Sequence, residues 1–157
     1  MTAGPPSGTV TFVFTDVEGS TALWQDHTRA MAAALARHDE IVRGAIELQH
    51  GYVFSTAGDA FAAAFASATD AVAAISAAQV RLSDEPWDEA VIRVRAGLHT
   101  GEAEERGGDY FGPVLNRAAR IMSLAGGNQV LLSQATAELV RDQLASGFDL
   151  HDVGEHR

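Results

Sequence analysis

The sequence contains no cysteine, and it has no run of about 18 apolar residues. Without cysteine the chain can form neither disulfide bonds nor thiolate metal sites, which suits a reducing compartment. Because it has no long apolar run and no charged-then-apolar leader, we expect neither a membrane span nor secretion. These absences favour a cytoplasmic protein with no membrane association.

Lysine is also absent, and acidic residues outnumber basic ones. All 11 basic residues are arginine, there are 21 acidic residues, and the formal net charge is −10. This charge disfavours duplex nucleic acid as a partner, because phosphate contacts need a basic surface. A small polyanionic substrate remains compatible with it if divalent metal ions bridge the phosphates to carboxylates.

The length and the apolar pattern predict one domain of the α+β class. The chain has 157 residues and 46% hydrophobic content, enough for a real core. The pattern predicts a strand at 9–15, a helical stretch at 19–49 broken near Asp26, a hairpin at 52–65, a helix at 67–82, a strand at 91–100, a turn region, a helix at 113–125, a strand at 129–132 and a helix at 134–145. This order predicts a sandwich with helices on one face of a mostly antiparallel sheet.

The two ends of the chain are expected to differ from this domain. Residues 1–8 are interpreted as a flexible lead-in, and the domain is taken as 9–157. The residues from Phe148 onward resemble the start of a further strand that does not close. We therefore expect the domain to be truncated at its C-terminus.

Two aspartates, 43 positions apart, are candidate metal ligands. Asp16 follows a β-rich run, and Asp59 follows Gly58 between the two apolar arms of the predicted hairpin. Each alone is most simply a helix cap or a turn residue. Brought together on adjacent strands, they could hold two Mg²⁺ ions, which take one or two carboxylates and leave other positions to phosphates and water.

The residues after Asp16 are candidate phosphate contacts. Gly19, Ser20 and Thr21 lie where a helix is predicted to begin. The free N–H groups of a first helical turn suit the β- and γ-phosphates of a nucleotide. Glu18, within the same loop, is interpreted as a solvated residue rather than a general base.

A third segment adds residues suited to a nucleotide. Asn116 and Arg120 are four positions apart, so both leave the same face of the predicted helix. An amide can orient the ribose, and a guanidinium can neutralise charge on a phosphoryl oxygen in the transition state. Asp109 could accept a hydrogen bond from the amino group of a base. The alternatives are an ordinary polar helix face for Asn116 and Arg120 and a turn residue for Asp109.

Residues 14–21, 56–61 and 109–120 together resemble the class III nucleotidyl cyclase catalytic domain, in the form found in mycobacterial and related actinobacterial adenylyl cyclases. Three motifs in order, each with its internal spacing, make a specific signal, and the resemblance covers nearly all of 9–153. It implies a ferredoxin-like core and a head-to-tail homodimer with two active sites at the interface. It also implies conversion of ATP to 3′,5′-cyclic AMP and pyrophosphate.

The resemblance assigns roles to the candidate residues. Asp16, Asp59 and the Val17 carbonyl would hold two Mg²⁺ or Mn²⁺ ions in each active site. Asn116 and Arg120 would act on the site of the opposite subunit. Asp109 would be one of two residues that read the base.

Two departures from the family pattern concern lysine. The other base-reading position, a lysine in adenylyl members, is Ser55 here, and losing such a contact costs about 1–3 kcal/mol. Guanylyl members carry an acid there, and Asp109 would face the O6 acceptor of guanine with like polarity, so ATP is the preferred substrate. The family's phosphate-binding lysine lies past the end of this sequence. The alternatives are a catalytically weak regulatory module of cyclase ancestry and, less favoured, a guanylyl cyclase.

Overall fold

A computed structural model describes residues 4–144 and 150–154. The strands are β1 (Thr9–Val17), β2 (Tyr52–Ala57), β3 (Ala60–Phe65), β4 (Val94–Glu102), β5 (Glu104–Arg106), β6 (Asp109–Phe111) and β7 (Val130–Leu132). The helices are α1 (Ser20–Asp26), α2 (Thr28–Leu48), α3 (Ala68–Asp84), α4 (Pro113–Leu124) and α5 (Gln134–Val140). The helical stretch after β1 is broken at His27, as the sequence predicts near Asp26.

Five strands form one sheet in the order β2-β3-β1-β4-β7, and β5 pairs with β6 in a separate hairpin. The pairs β1–β3, β1–β4 and β2–β3 are antiparallel, and β4–β7 is parallel. Helices α1 and α2 join β1 to β2, and α3 joins β3 to β4, which is the split βαβ arrangement of ferredoxin-like domains. The predicted α+β class and the mostly antiparallel sheet are confirmed.

The sheet is covered on both faces because β1 is apolar on both. Val13 and Val17 face the larger core with α2 and α3, and α5 packs against α3. Val10 and Phe12 alternate with them and face a second core on the opposite side of the sheet. Three helices thus share one face, as expected.

Helix α4 lies on the opposite face of the sheet with the β5–β6 hairpin, so the expectation that the helices share one face needs this correction. Val114 and Ala118 of α4 join Tyr110 in the second core. A Cβ at Gly97 of β4 would clash with the backbone of Met122, and one at Gly101 would lie 2.9 Å from the Val114 side chain. Two glycines on one face of β4 therefore let α4 approach the sheet closely.

The remaining differences from the predicted elements are at their ends. β4 begins at Val94 rather than at 91, and the predicted turn region contains the β5–β6 hairpin. The predicted final helix extends to 145, which lies outside the described residues, and α5 ends at Val140. The possible strand from Phe148 also falls largely outside them, and 150–154 are in no helix or strand. Among the described residues, no helix combines the length and the apolar character needed to cross a membrane.

Candidate active site

Asp16 is held by an arginine on the neighbouring strand. Asp16 and Arg95 are register partners across β1 and β4. Arg95 Nε donates to Asp16 Oδ1 at 2.7 Å, and Nη2 donates to Oδ2 at 2.5 Å, so the pair is bidentate. This hydrogen-bonded carboxylate raises the pKa of Arg95 above its ordinary value, and the charges of Glu18 and Asp59 act in the same direction. The charges of three carboxylates therefore act on one guanidinium, and Asp16 is the one that binds it.

Asp59 lies at the turn between β2 and β3, beside the end of β1. Thr15 pairs with Phe61, so one further step of the antiparallel register places Asp16 opposite Ala60, next to Asp59. Gly58 has φ 60°, a conformation that glycine adopts without strain and that allows the tight turn. Asp59 Oδ2 is buried and has no hydrogen-bond partner. The structure thus brings the two aspartates together and leaves one carboxylate oxygen free.

These residues fit a magnesium or manganese site. A carboxylate offers about four lone-pair positions, so Asp16 can still accept a cation after binding Arg95. The buried Oδ2 of Asp59 needs a partner, because an unpaired buried acceptor is costly. The described part of the chain holds no cluster of three or more His, Cys, Asp or Glu side chains suited to a metal. Two carboxylates supplemented by phosphate oxygens are the set that Mg²⁺ commonly uses.

The loop after Asp16 leads directly into α1. Gly19 has φ 67°, and no side chain caps the helix. Nothing lies within 4 Å of the position where a Cβ of Gly19 would be. The space beside Gly19 is therefore open to an approaching group, and Ser20 and Thr21 follow it as the first residues of α1.

Glu18 is exposed, as the sequence interpretation expects, and it also makes two contacts. Its Oε2 accepts a hydrogen bond from the backbone N–H of Gly127, in the loop between α4 and β7. Its own N–H donates to Arg93 O at 2.8 Å. The expected solvation of Glu18 agrees with its exposure, but Glu18 precedes α1 rather than lying in its first turn, and these contacts were not expected.

Ser55 and the aspartate–arginine pair share one face of the sheet. Ser55 pairs with Ala62, and Ala62 pairs with Phe14. Paired residues project from the same face, and Asp16 lies two positions after Phe14. Ser55 is exposed, and it lies on β2 at the edge of the sheet.

The β5–β6 hairpin that carries Asp109 lies over β2. Tyr52 Oη donates to Gly108 O at 3.1 Å, which fixes the turn next to Asp109. Asp109 is exposed, and its Oδ1 accepts from the N–H of Tyr110 at 2.8 Å. Asp109 and Ser55 thus belong to two elements that pack together, and the second oxygen of Asp109 remains available.

Tyr110 anchors this hairpin to the sheet. Its ring lies 5.1 Å from that of Phe12 and 4.9 Å from that of Phe54, both with edge-to-face geometry. Its hydroxyl donates to Pro6 O at 2.6 Å. Burial raises the pKa of Tyr110 to about 12, so the hydroxyl stays protonated and keeps donating at neutral pH.

Asn116 and Arg120 are exposed on the outer side of α4. Val114 and Ala118 occupy its inner side against the sheet. Within the described residues, neither the Asn116 nor the Arg120 side chain has a hydrogen bond or ion pair to the two aspartates. One chain therefore assembles the carboxylate side of the site and presents the Asn–Arg pair outward.

The sequence interpretation missed Arg95 as a site residue. A signal was available, because Arg95 is a charged residue inside the apolar run of β4, where a charge needs a partner. A cavity of about 240 Å³ between α3 and α5 contains none of the candidate residues. The candidate site is instead an open surface at one end of the sheet.

Comparisons with known proteins show what the chain is similar to. Residues 3–157 match the family described as "Adenylate and Guanylate cyclase catalytic domain". An uncharacterized protein of Mycobacterium tuberculosis (strain ATCC 25618 / H37Rv) is 46% identical over 155 residues, covering 97% of this chain and 52% of that protein. The adenylate cyclase of Neurospora crassa is 30% identical over 210 residues, covering 98% of this chain and 9% of that enzyme.

A solved structure supports the fold. A chain from a study of adenylate cyclases of Trypanosoma brucei in their monomeric state matches with a TM-score of 0.80 and 32% identity. The match covers 85% of this chain and 76% of that one. The present chain spans about half or less of the length of the curated relatives named above.

Proposed function

The chain belongs to the adenylate and guanylate cyclase catalytic domain family, and on that premise we propose that it converts ATP to 3′,5′-cyclic AMP and pyrophosphate. The observation that carries the proposal is the convergence of Asp16 and Asp59 at one end of the sheet, with the buried Oδ2 of Asp59 unpartnered. A buried carboxylate oxygen in this position is a ready ligand for a hard cation. The proposed location is the cytoplasm, where ATP is available.

The proposed reaction forms a bond between the ribose 3′-oxygen and the α-phosphorus and breaks the bond to pyrophosphate. Two divalent cations, held by Asp16, Asp59 and the Val17 carbonyl, would neutralise phosphate charge and acidify the 3′-hydroxyl. Arg95 keeps the Asp16 carboxylate in a fixed orientation through its two hydrogen bonds. The backbone from Gly19 to Thr21 is the proposed contact for the β- and γ-phosphates.

A homodimer completes the proposed site. Asn116 and Arg120 are exposed and, within the described residues, make no hydrogen bond or ion pair with the aspartates of their own chain, so a second copy packed head to tail could receive them. Asn116 would orient the ribose, and Arg120 would neutralise the charge that develops on the α-phosphoryl group. Each dimer would have two sites, each with aspartates from one subunit and α4 from the other.

Base recognition is the proposed source of the preference for ATP. Asp109 retains an unoccupied oxygen that can accept a hydrogen bond from the adenine amino group. The same oxygen would repel the O6 acceptor of guanine. Ser55 can donate only over a short reach, so the preference is expected to be modest.

The test is product formation by the purified chain with Mn²⁺, with ATP and GTP offered separately. Cyclic AMP as the main product supports the proposal. Cyclic GMP as the main product would contradict the role of Asp109. Nucleotide binding without either product would instead favour a regulatory module that has kept the fold but not the turnover.

Replacing Ser55 by lysine is expected to raise kcat/KM for ATP about tenfold relative to GTP, because an ammonium on a longer stem can reach the ring nitrogens of adenine. The assay measures both substrates under the same metal conditions. Thr56→Lys is the matched control, since Thr56 is also exposed but alternates to the other side of β2. An equal gain in both variants would mean that added positive charge, rather than base contact, causes it.

A further inference from the structure

We propose that Glu18 is a positioning residue that fixes the C-terminal end of α4 and thereby acts on the active site of the opposite subunit. This inference rests on the proposed function, because it needs Asn116 and Arg120 to serve the other chain's aspartates. Glu18 would thus act on the site of the opposite subunit rather than on the site that its own loop lines.

The first observation is the contact between Glu18 and the loop after α4. Glu18 Oε2 accepts the hydrogen bond of Gly127 N–H. A Cβ on Gly127 would lie 2.7 Å from Glu18 Oε2 and 3.0 Å from Arg93 Cβ, so a residue with a Cβ at this position would crowd the contact. Asn128 N–H donates to Val94 O at 2.9 Å, which holds the next residue of the loop on β4.

The second observation is an independent connection between the metal side and the last turn of α4. Arg95, which binds Asp16 through Nε and Nη2, also donates from Nη1 to Ser123 O at 3.5 Å. Ser123 Oγ donates to Arg120 O at 2.6 Å. The segment Asp16–Glu18 therefore connects to α4 at two points, one on each side of the end of the helix.

The position of these contacts determines what they control. Arg120 lies one turn before Ser123, so a shift of the last turn of α4 moves the Arg120 side chain directly. Its side chain and that of Asn116 are exposed and rely on the backbone of α4 for their placement. In the proposed dimer, the Glu18 contact thus fixes Asn116 and Arg120, which act at the site formed by the aspartates of the partner.

Mixed dimers separate this role from a local one. A chain with Asp59→Asn keeps its α4 but loses its metal side, and a chain with Arg120→Ala does the reverse. A mixed dimer has one intact site, built from α4 of the Asp59→Asn chain. Glu18→Ala is then added to either chain, and kcat and KM for ATP are measured.

The expected result is about a tenfold lower kcat, with little change in KM, when Glu18→Ala is in the Asp59→Asn chain. That chain's own loop lines no working site, so the loss must pass through its α4. Full activity for this pair would overturn the proposal, including the case in which Glu18→Ala matters only in the other chain. Glu18→Gln in the same chain should restore kcat, because its amide oxygen can still accept from Gly127.

Hydrogen exchange tests the contact without any turnover. Glu18→Ala should speed exchange at Gly127 and in the last turn of α4, whereas Glu18→Gln should leave both protected. Unchanged protection in Glu18→Ala would overturn the proposal that Glu18 fixes the end of α4, even if the enzyme is active. If the mixed dimer of the Asp59→Asn and Arg120→Ala chains, both with Glu18 intact, makes no cyclic nucleotide, the proposed function fails. The exchange result still decides whether Glu18 holds α4.

Discussion

Asp59→Asn is expected to reduce cyclic AMP formation by about 10³-fold or more while leaving the protein at least as stable as the parent. The substitution removes the charge that a cation would neutralise but keeps the size of the side chain. Asp59 Oδ2 is buried without a hydrogen-bond partner, so the fold loses no hydrogen bond there when the carboxylate becomes an amide. The lost attraction to Arg95 is offset because a charge no longer has to be buried. Asp59→Asn should therefore lose activity without losing stability.

The measurements are initial rates with saturating Mn²⁺ and thermal unfolding without metal. Asp88→Asn, at an exposed position in the loop after α3, is the matched control and should change neither. Asp16→Asn should lose activity and also some stability, because it weakens the bidentate pair with Arg95. Retained activity in Asp59→Asn would remove the aspartate pair as the metal site.

Arg120→Ala is expected to lower kcat by about 10²- to 10³-fold with a small change in KM, because the guanidinium would act on charge that exists only in the transition state. The side chain is exposed, so its removal should leave the unfolding temperature unchanged. Arg117→Ala, three residues earlier on the same helix, is the matched control. A loss of similar size in Arg117→Ala would point to general charge rather than a specific role.

Mixing inactive variants tests whether Arg120 acts across subunits. A 1:1 mixture of the Asp59→Asn and Arg120→Ala chains should recover up to about a quarter of parental activity, since half the dimers are mixed and each has one intact site. Activity should appear on mixing and rise with protein concentration. A mixture that stays inactive under conditions where the parent chain dimerises would place Arg120 and Asp59 in the same site of one chain.

Local sequence patterns were sufficient for most of the fold. The β-rich run of β1 and the Ala-Gly-Asp turn predict the strands that bring Asp16 near Asp59. The face occupied by α4 was not predictable in this way, because Val114 and Ala118 form an apolar stripe that could pack on either side of β1. Gly97 is the residue that decides it, and its meaning appears only when the helix backbone is known to approach it.

The site was predictable where its residues belong to continuous motifs. Arg95 was missed, and the contact of Glu18 with Gly127 was not anticipated, because the partners are distant in sequence. Glu18 contacts a residue 109 positions away, and Arg95 one 79 positions away. Periodicity and turn preferences carry no information on such contacts, which arise only when β1, β4 and the loop after α4 meet.

The hydrogen bond from Tyr110 to Pro6 has a practical consequence for protein engineering. It ties the segment before β1 to the hairpin that carries Asp109, and the aromatic contacts of Tyr110 with Phe12 and Phe54 make that joint stiff. A tag, sensor or light-responsive module fused closely ahead of Pro6 would therefore pull on the hairpin that carries Asp109, the proposed base-reading residue. A spacer of several flexible residues would separate the fused module mechanically from the hairpin, and a shorter spacer would let the module influence it.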